Sequence, residues 1–186
     1  NVGFVVGSEG NKGVIYKTTN GGNTWNRIFE TDYDLWDIYF FDVNNGWASG
    51  KFGTLLKTTN GGINWSIVYT NTYSTLPRMH WLDQNYGWIV GSENTLVLKT
   101  SNGGNSWDIV DINIFWWLID IYFINNNVGW VTADNGTILK TTNGGNNWNV
   151  LTSGTYPGNL RGIFFIDENI GWAVGGYYDT SYVILK

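Results

Sequence analysis

Only a few side chains in this sequence are suited to acid–base or ion-pair chemistry. Asp37 and Asp120 occupy matching positions in LWDIYF and LIDIYF, and a pair of carboxylates about 5–10 Å apart can hydrolyse a glycosidic bond. Arg78 and Arg161 could each hold a ligand carboxylate through paired hydrogen bonds. Arg78 lies between the two aspartates in the chain, which equally favours a neutral structural network in which Asp37 or Asp120 satisfies an arginine.

Aromatic side chains supply a second set of candidate binding groups. Trp116 and Trp117 are adjacent in DINIFWW, and consecutive residues of a strand point to opposite faces. We therefore expect one of them in the core and the other as an exposed platform. An aromatic face with a hydroxyl suits polar or sugar-like ligands, and the candidates of this type are Tyr156, Tyr177 and Tyr178.

The single histidine, His80, occupies a position that is aromatic in the other copies of its segment. Those copies have Tyr39, Tyr122 and Phe164. A lone histidine in such a series is expected to be a packed, hydrogen-bonded residue rather than a catalytic base or a metal ligand.

Composition excludes several classes of function. The 186 residues carry a net charge of −5 with a pI near 4.6, so we expect neither nucleic acid nor an anionic membrane as partner. No apolar run is long enough to span a bilayer. The chain has no cysteine, which rules out disulfides and cysteine zinc sites. We predict no catalytic residues, no metal and no cofactor.

The elements that position these residues are defined by an internal repeat. KTTNGGNTW (Lys17 to Trp25) returns as KTTNGGINW, KTSNGGNSW and KTTNGGNNW, which begin at Lys57, Lys99 and Lys140. The period is about 41 residues, and a fixed period with a turn signature indicates a repeat architecture. A second marker, out of phase with the first, begins at Phe40, Trp81, Phe123 and Phe165, as in FFDVNNGWASG.

Each period contains four candidate strands joined by tight turns. In the second copy they are LWDIYFF, GWASG, GTLLKT and WSIVYT. Four antiparallel strands per period predict an all-β fold, a β-propeller of four-stranded antiparallel blades, with essentially no helix. About five blades are represented, the first and last with three strands each, which gives eighteen strands. We expect a single domain over residues 1–186, an arc of a larger propeller, with a pseudo-closed five-bladed ring as the alternative.

The repeated turn is predicted to be a structural device. Its threonine and asparagine can hydrogen-bond the backbone, its glycine supplies positive φ, and its tryptophan packs between sheets. The residues in these roles are Thr18, Asn20, Gly22 and Trp25; Thr58, Asn60, Gly62 and Trp65; Thr100, Asn102, Gly104 and Trp107; and Thr141, Asn143, Gly145 and Trp148. Asp42, Asp83, Asn125 and Asp167 are predicted turn formers in the second marker.

These turns resemble the Asp-box, or bacterial neuraminidase repeat, with the pattern S/T-x-D-x-G-x-x-W. The departure is asparagine for aspartate in all four copies, at 20, 60, 102 and 143. The combination of GWAVG, GTILKTTNGG and the closing tryptophan is closer still to the photosystem II assembly/stability factor-like propellers. This resemblance implies the propeller fold, and it implies a secreted, periplasmic or cell-surface bacterial protein.

The connections that vary between copies are expected to form the functional face. In a blade, the loops from strand two to strand three and from strand four to the next blade share one face, and loops of this kind carry function. We predict a non-catalytic module that binds a protein or a carbohydrate there, with self-association through open blade edges as a further possibility. The alternatives are a sialidase- or glucanase-like glycoside hydrolase, or a structural part of a larger surface protein.

Overall fold

The computed structural model describes residues 1–152, 158–177 and 181–185, with Tyr177 and the last segment described by their backbone only. Within these ranges the chain forms eighteen strands in five antiparallel sheets. The sheets contain three, four, four, four and three strands in chain order, as predicted. The fold is all-β, a β-propeller built from four-stranded antiparallel blades.

Each sheet is formed by consecutive strands. The first sheet contains β1 (Gly3–Glu9), β2 (Lys12–Thr18) and β3 (Asn26–Thr31); the second β4 (Leu35–Phe40), β5 (Gly46–Gly50), β6 (Leu55–Thr58) and β7 (Ser66–Ile67); the third β8 (Arg78–Trp81), β9 (Gly87–Gly91), β10 (Leu96–Thr100) and β11 (Asp108–Asp111); the fourth β12 (Leu118–Phe123), β13 (Gly129–Ala133), β14 (Thr137–Thr141) and β15 (Asn149–Thr152); the fifth β16 (Asn159–Phe165), β17 (Gly171–Tyr177) and β18 (Ser181–Leu185).

One detail of the predicted elements needs correction. The segment WSIVYT contributes only Ser66 and Ile67 to β7, because the chain then leaves the sheet and enters the long connection to β8. The one helical element in the described ranges is a 3₁₀ turn, Lys51–Gly53. The expected near-absence of helix is therefore confirmed for these residues.

The chain divides into two compact units, Asn1–Pro77 and Arg78–Lys186. The first unit packs Ile15, Leu35, Ala48 and Leu56 into one apolar core cluster. The second unit holds two clusters, one centred on the third and fourth sheets and one that joins the fourth sheet to the fifth. The single domain and the arc of a larger propeller stay predictions.

In the second to fifth sheets, an aromatic ring on the first strand lies over a glycine at the start of the second strand. Phe40 pairs with Gly46, and Phe123 pairs with Gly129. A Cβ placed on either glycine would lie 2.6 Å from that ring. Such a distance is not sterically possible, so the glycine of the Gly-Trp marker is needed to seat the ring. The same pairing recurs at Trp81 with Gly87 and at Phe165 with Gly171.

The residue after this glycine joins neighbouring blades. In the second unit Trp88 stacks on Phe123 with ring centroids 3.7 Å apart, and Trp130 stacks on Phe165 at 3.6 Å. In the first unit Phe4 takes the tryptophan's place and stacks on Phe40 at 3.7 Å. Offset and stacked aromatic pairs contribute about 0.5–1.5 kcal/mol beyond their buried area, so these rings hold adjacent sheets in register.

Candidate functional site

The repeated turn is held by its own threonine and asparagine side chains. The Thr58 hydroxyl accepts the Gly62 N–H at 3.0 Å, and Asn60 Oδ1 accepts the Asn64 N–H at 2.9 Å. The Thr58 hydroxyl also donates to Asn60 Oδ1 at 3.1 Å. Equivalent bonds form in the turns that contain Thr18, Thr100 and Thr141. The predicted hydrogen bonds are confirmed in all four copies.

Asparagine in place of aspartate adds a donor to this turn. Asn20 Nδ2 donates to the Thr24 hydroxyl at 2.9 Å, and Asn102 Nδ2 donates to the Ser106 hydroxyl at 2.8 Å. The turn therefore closes through neutral hydrogen bonds and needs no charge. Two successive glycines with φ near +70° to +90° complete it, for example Gly21 and Gly22, a conformation that other residues adopt only with strain.

The closing tryptophans pack edge-on against the aromatic ring that covers the glycine in their own sheet. The ring centroids of Trp65 and Phe40 are 5.9 Å apart at 89°, and those of Trp148 and Phe123 are 5.9 Å apart at 87°. Trp107 contacts Trp81 in the same way at 5.6 Å. Trp65 also lies 6.1 Å from Phe29 of the neighbouring sheet. Trp25, in the three-stranded first sheet, is 40% exposed.

The second marker is also a turn former. Asp42 Oδ1 accepts the N–H groups of Asn44 and Asn45 at 2.7 and 2.9 Å. These bonds, with the Asn45 side chain as the largest contributor, hold the pKa of the Asp42 carboxyl below its usual value. Asp83, Asn125 and Asp167 make the same pair of backbone bonds. The prediction that this position forms turns is confirmed.

The variable connections are joined to one another by backbone hydrogen bonds within each unit. In the first unit Lys51 N–H donates to Asp34 O at 2.9 Å, and Gly53 N–H donates to Ser74 O at 2.9 Å. In the second unit Asp134 N–H donates to Trp117 O at 3.1 Å. The loop between strands two and three therefore lies beside a loop that joins consecutive blades. We refer to these connections as the variable-loop face of each unit: residues 31–34, 51–54 and 68–77 in the first unit, and residues 92–95, 111–117 and 134–136 in the second.

Backbone strain among the described residues is concentrated in this face. The non-glycine residues with positive φ there are Phe52, Asn71, Thr95, Asn113 and Asn135, and the described ranges contain no others. Asparagine tolerates this conformation, but a bulky or β-branched residue such as Phe52 (φ +54°) or Thr95 (φ +46°) is a genuine outlier. Strain of this kind costs about 1–3 kcal/mol and clusters at functional sites.

Exposed aromatic rings are also concentrated in the variable-loop face. Phe52 is 57% exposed, and its ring lies 5.0 Å from that of Tyr33 in an edge-to-face contact. Tyr73 is 85% exposed. The other exposed rings of these connections are Tyr69, Phe115, Trp116 and Trp117. Phe52, Tyr33, Tyr69 and Tyr73 were not among the residues predicted from sequence. Phe52 could have been found from KFG, where the copy at 134–136 has Asp-Asn-Gly.

Trp116 and Trp117 differ from the prediction. They lie in the connection before β12 and not in a strand, so strand alternation does not apply to them. Both are exposed, Trp117 at 59%, and neither is in the core. Of the three predicted tyrosines, Tyr156 and Tyr178 lie outside the described residues, as does the side chain of Tyr177.

The two candidate arginines face different carboxylates. Arg78 Nε lies 3.5 Å from Asp120 Oδ1. The Asp120 carboxylate also accepts the Ile163 N–H at 2.9 Å and the Ile121 N–H at 3.0 Å, so it connects β12 to β16. Burial raises the pKa of Asp120, and these hydrogen bonds and Arg78 oppose the rise. Arg161 is exposed, and its charge acts on Asp134, whose pKa burial raises.

Other charges of the variable-loop face are paired as well. Lys51 binds Asp34, and this ammonium, followed by the Ser8 hydroxyl, holds the pKa of Asp34 below its usual value. Lys12, the first residue of β2, pairs with Asp32. The carboxylates of Asp32 and Asp34, on either side of the exposed Tyr33, are thus each neutralised by a lysine.

His80 is packed as predicted. Its ring lies 4.8 Å from Tyr122, and its Nε2 atom is buried without a hydrogen-bond partner among the described residues. Burial lowers the pKa of His80 to about 4, against a smaller opposing effect of a hydrogen bond with the Phe123 backbone. The imidazole is neutral at physiological pH and has no acidic partner with which to form a catalytic pair in the described structure.

The described residues contain no group of three or more histidine, aspartate and glutamate side chains placed to hold a metal ion. Among these same residues there is no helix with the length and apolarity that crossing a membrane would require.

Repeated blades with braced Thr-x-Asn-Gly-Gly turns and a diverse loop face define an Asp-box-type repeat propeller. Residues 27–115, just under half of the chain, match the family described as photosynthesis system II assembly factor YCF48. The chain is therefore a propeller of this repeat type related to YCF48, which confirms the resemblance seen in the sequence. No curated protein sequence matches the chain.

Solved structures give the same relationship. A structure of YCF48 bound to a D1 peptide is 26% identical, with a TM-score of 0.68, over 83% of this chain and 52% of that one. YCF48 from Cyanidioschyzon merolae is 20% identical, with a TM-score of 0.66, over 93% and 64%. An ancestral GH74 enzyme is 18% identical, with a TM-score of 0.76, over 97% and 29%.

The chain thus spans about half the length of the peptide-bound YCF48 and less than a third of the GH74 enzyme. At 18% identity, the likeness to the GH74 enzyme concerns the fold alone.

Proposed function

We propose that this chain is a non-catalytic binding module that holds a segment of another protein against its variable-loop face. The observation that carries the proposal is the coincidence, on these connections, of exposed aromatic rings with left-handed non-glycine residues. Aromatic side chains with few rotatable bonds supply much of the contact energy in protein recognition. The paired charges around them lower the desolvation cost of covering the rings.

The related YCF48 structure supports a protein ligand over a carbohydrate. That protein was solved bound to a D1 peptide, so a propeller of this repeat type can hold a peptide. The finer parts of the proposal, which include the identity of the ligand and a secreted, periplasmic or cell-surface location, rest on the resemblance.

A peptide-display selection against the immobilised chain tests the proposal. We expect peptides bound by the second unit to lose affinity about tenfold, or about 1.4 kcal/mol, in Trp117→Ala, and peptides bound by the first unit to lose a similar amount in Tyr73→Ala. The matched control is Ile63→Ala, because Ile63 is 76% exposed but lies in a repeated turn outside the variable-loop face. A selection that enriches nothing, or peptides that respond equally to Ile63→Ala, would contradict the proposal.

Catalysis is tested separately with a panel of chromogenic glycosides. We expect no turnover, because Asp120 is engaged by Arg78 and by the backbone of β12 and β16. If the chain hydrolysed a glycoside and either Asp37→Ala or Asp120→Ala abolished that activity, the chain would be a glycoside hydrolase and the proposal would be wrong.

A further inference from the structure

We infer that a cleft between the third and fourth sheets, both in the second unit, is a binding site for a neutral carbohydrate of one or two sugar rings. The turns of these sheets build the cleft, so it lies outside the variable-loop face and goes beyond the proposed function. We refer to it as the turn cleft. Its volume is about 410 Å³, which is within the range of about 300–1,000 Å³ that is typical of small-molecule sites.

Two equivalent lysines take different positions at the two junctions between sheets. In the first unit Lys17 reaches the next sheet, and its Nζ atom donates to Gly61 O at 2.8 Å. In the second unit the equivalent Lys99 lines the turn cleft and donates to the Asn146 side chain instead. The junction that Lys17 bridges in the first unit is therefore left without this bridge in the second.

The indole of Trp88 accounts for the difference. Trp88 Nε1 donates at 3.1 Å to Gly144 O, and Gly144 occupies the repeat position of Gly61. At the position of Trp88 the first unit has Phe4, whose phenyl ring has no N–H to donate. Because Trp88 already supplies the hydrogen bond to this carbonyl, Lys99 is available for other partners at the edge of the cleft.

Three departures of the third copy from the repeat meet in the turn cleft. They are Tyr86 just before β9, Ser101 just after β10 and Asp108 at the start of β11. At the position of Tyr86 the other copies have no aromatic residue, at that of Ser101 they have threonine, and at that of Asp108 they have asparagine or serine. The repeat is thus altered on three successive strands where they border one cavity, which the fold alone does not require.

Amide side chains of the fourth sheet form the opposite wall. Asn126 and Asn127 come from the turn between β12 and β13, and Asn143 and Asn146 come from the repeated turn. The two turns are joined by the Gly144 N–H, which donates to Asn127 O at 2.8 Å. The wall is therefore formed before any ligand arrives, and a side-chain amide offers both donors and an acceptor.

The charges of the lining favour a neutral ligand. Lys99 is the one cationic side chain and Asp108 the one anionic side chain among the described residues that line the cleft. A phosphate would need an excess of positive charge, and a calcium ion would need several more carboxylate or carbonyl oxygens. Neither the charge balance nor the ligand number suits an ion.

The hydrogen-bonding groups and the aromatic ring suit a sugar. A sugar hydroxyl both donates and accepts, so it can pair with the amides, with the Ser101 hydroxyl and with the Asp108 carboxylate. The half-buried Tyr86 ring packs against the core and offers a fixed apolar surface to the C–H face of a sugar. The other aromatic residue of the described lining, Trp88, is only 2% exposed. The cleft therefore lacks the exposed apolar anchors that a protein segment would use.

A microarray of neutral monosaccharides, disaccharides and polysaccharides, probed with the labelled full chain, tests the inference. We expect saturable binding of at least one neutral sugar, confirmed by calorimetric titration, and no binding of inorganic phosphate or of Ca²⁺. If the sugar on the array is a polysaccharide, its free disaccharide should compete with it. Absence of sugar binding would overturn the inference, and so would binding of the ions alone or a polysaccharide with which its disaccharide does not compete.

Two variants of the full chain test the location. Asp108→Asn and Tyr86→Val introduce residues that other copies have at these positions, Asn149 and Val128, so the urea unfolding midpoint should change little. Each should weaken the sugar at least about tenfold. Asn149→Ala, at the position of Asp108 in the fourth sheet and outside the lining, is the matched control and should bind normally. Full binding by either cleft variant would overturn the site.

The variable-loop proposal can fail without affecting this one. Trp117→Ala should bind the sugar with unchanged affinity, and Asp108→Asn should bind selected peptides with unchanged affinity. A sugar that Trp117→Ala releases while Asp108→Asn retains it would assign carbohydrate binding to the variable-loop face and overturn the inference.

Discussion

At the scale of single residues, two side chains of types suited to acid–base chemistry, Asp120 and His80, have structural roles instead. Asp120 connects two strands and carries Arg78 beside it. His80 is buried against Tyr122. The exposed groups free to contact a ligand are instead aromatic, and several of them, such as Phe52 and Tyr73, belong to no repeated motif.

The buried His80 makes stability depend on pH. Its pKa is lowered to about 4 in the folded chain and is about 6.5 in an unfolded one, so the unfolded state binds the proton more readily. The contribution of the neutral imidazole is fully present above pH 6.5 and is lost as the pH falls through 4, by about 3 kcal/mol. Urea unfolding across this range should show the loss.

His80→Phe is the matched variant for this prediction, because Phe164 occupies the equivalent position. The difference in the free energy of unfolding between wild type and variant should change between pH 6.5 and 4 and stay constant above pH 7. If the free energy of unfolding depended on pH in the same way in both proteins, groups other than His80 would control that dependence.

At the scale of elements, the blade depends on a glycine covered by a ring. Strands such as β4 and β5 pair so that Phe40 lies on Gly46, Trp65 packs on the edge of Phe40, and Phe4 of the neighbouring sheet stacks on its face. The Phe40 side chain thus connects a repeated turn, its own sheet and the neighbouring sheet. A separate contact supports the second strand: Lys57, the cross-strand neighbour of Trp47, lies 4.9 Å from the Trp47 ring centre.

Gly129→Ala tests this arrangement. The new methyl group would lie 2.6 Å from the Phe123 ring, so the ring must move away from both Trp88 and Trp148. We expect a loss of about 3 kcal/mol or more in the free energy of unfolding, at the upper end for overpacked cores, measured by urea denaturation. Gly7→Ala is the control, because a Cβ on Gly7 would have nothing within 4 Å, and similar losses in both would contradict this account.

At the scale of the whole molecule, we predict that net charge and strand edges govern self-association. The net charge of −5 at pH 7 keeps copies apart, and it vanishes near the pI of 4.6. Strand edges without a partner are templates for association when repulsion is absent. Self-association through blade edges stays a prediction.

Light scattering as a function of pH tests this behaviour. We expect the scattering to rise steeply as the pH approaches 4.6 and to fall again below about pH 3.5, where the chain becomes positively charged. Scattering that is flat across this range would contradict the prediction.

The sequence by itself determined the blades and their turns. The eighteen strands followed from a repeat of about 41 residues, and the turn bonds of Thr58 and Asn60 join atoms only two to four residues apart. Interactions this local depend on residue types and spacing alone, so identical segments fold identically. The prediction for WSIVYT was wrong because the fourth strand ends early, where a long connection begins that is not repeated in the other copies.

Only the tertiary structure decided the functional surfaces. The pairing of Arg78 with Asp120, the left-handed Phe52 and the exposure of both Trp116 and Trp117 depend on segments that are distant in the sequence. Connections that differ in every copy have no internal pattern to predict them, so their conformation is set by the packing around them.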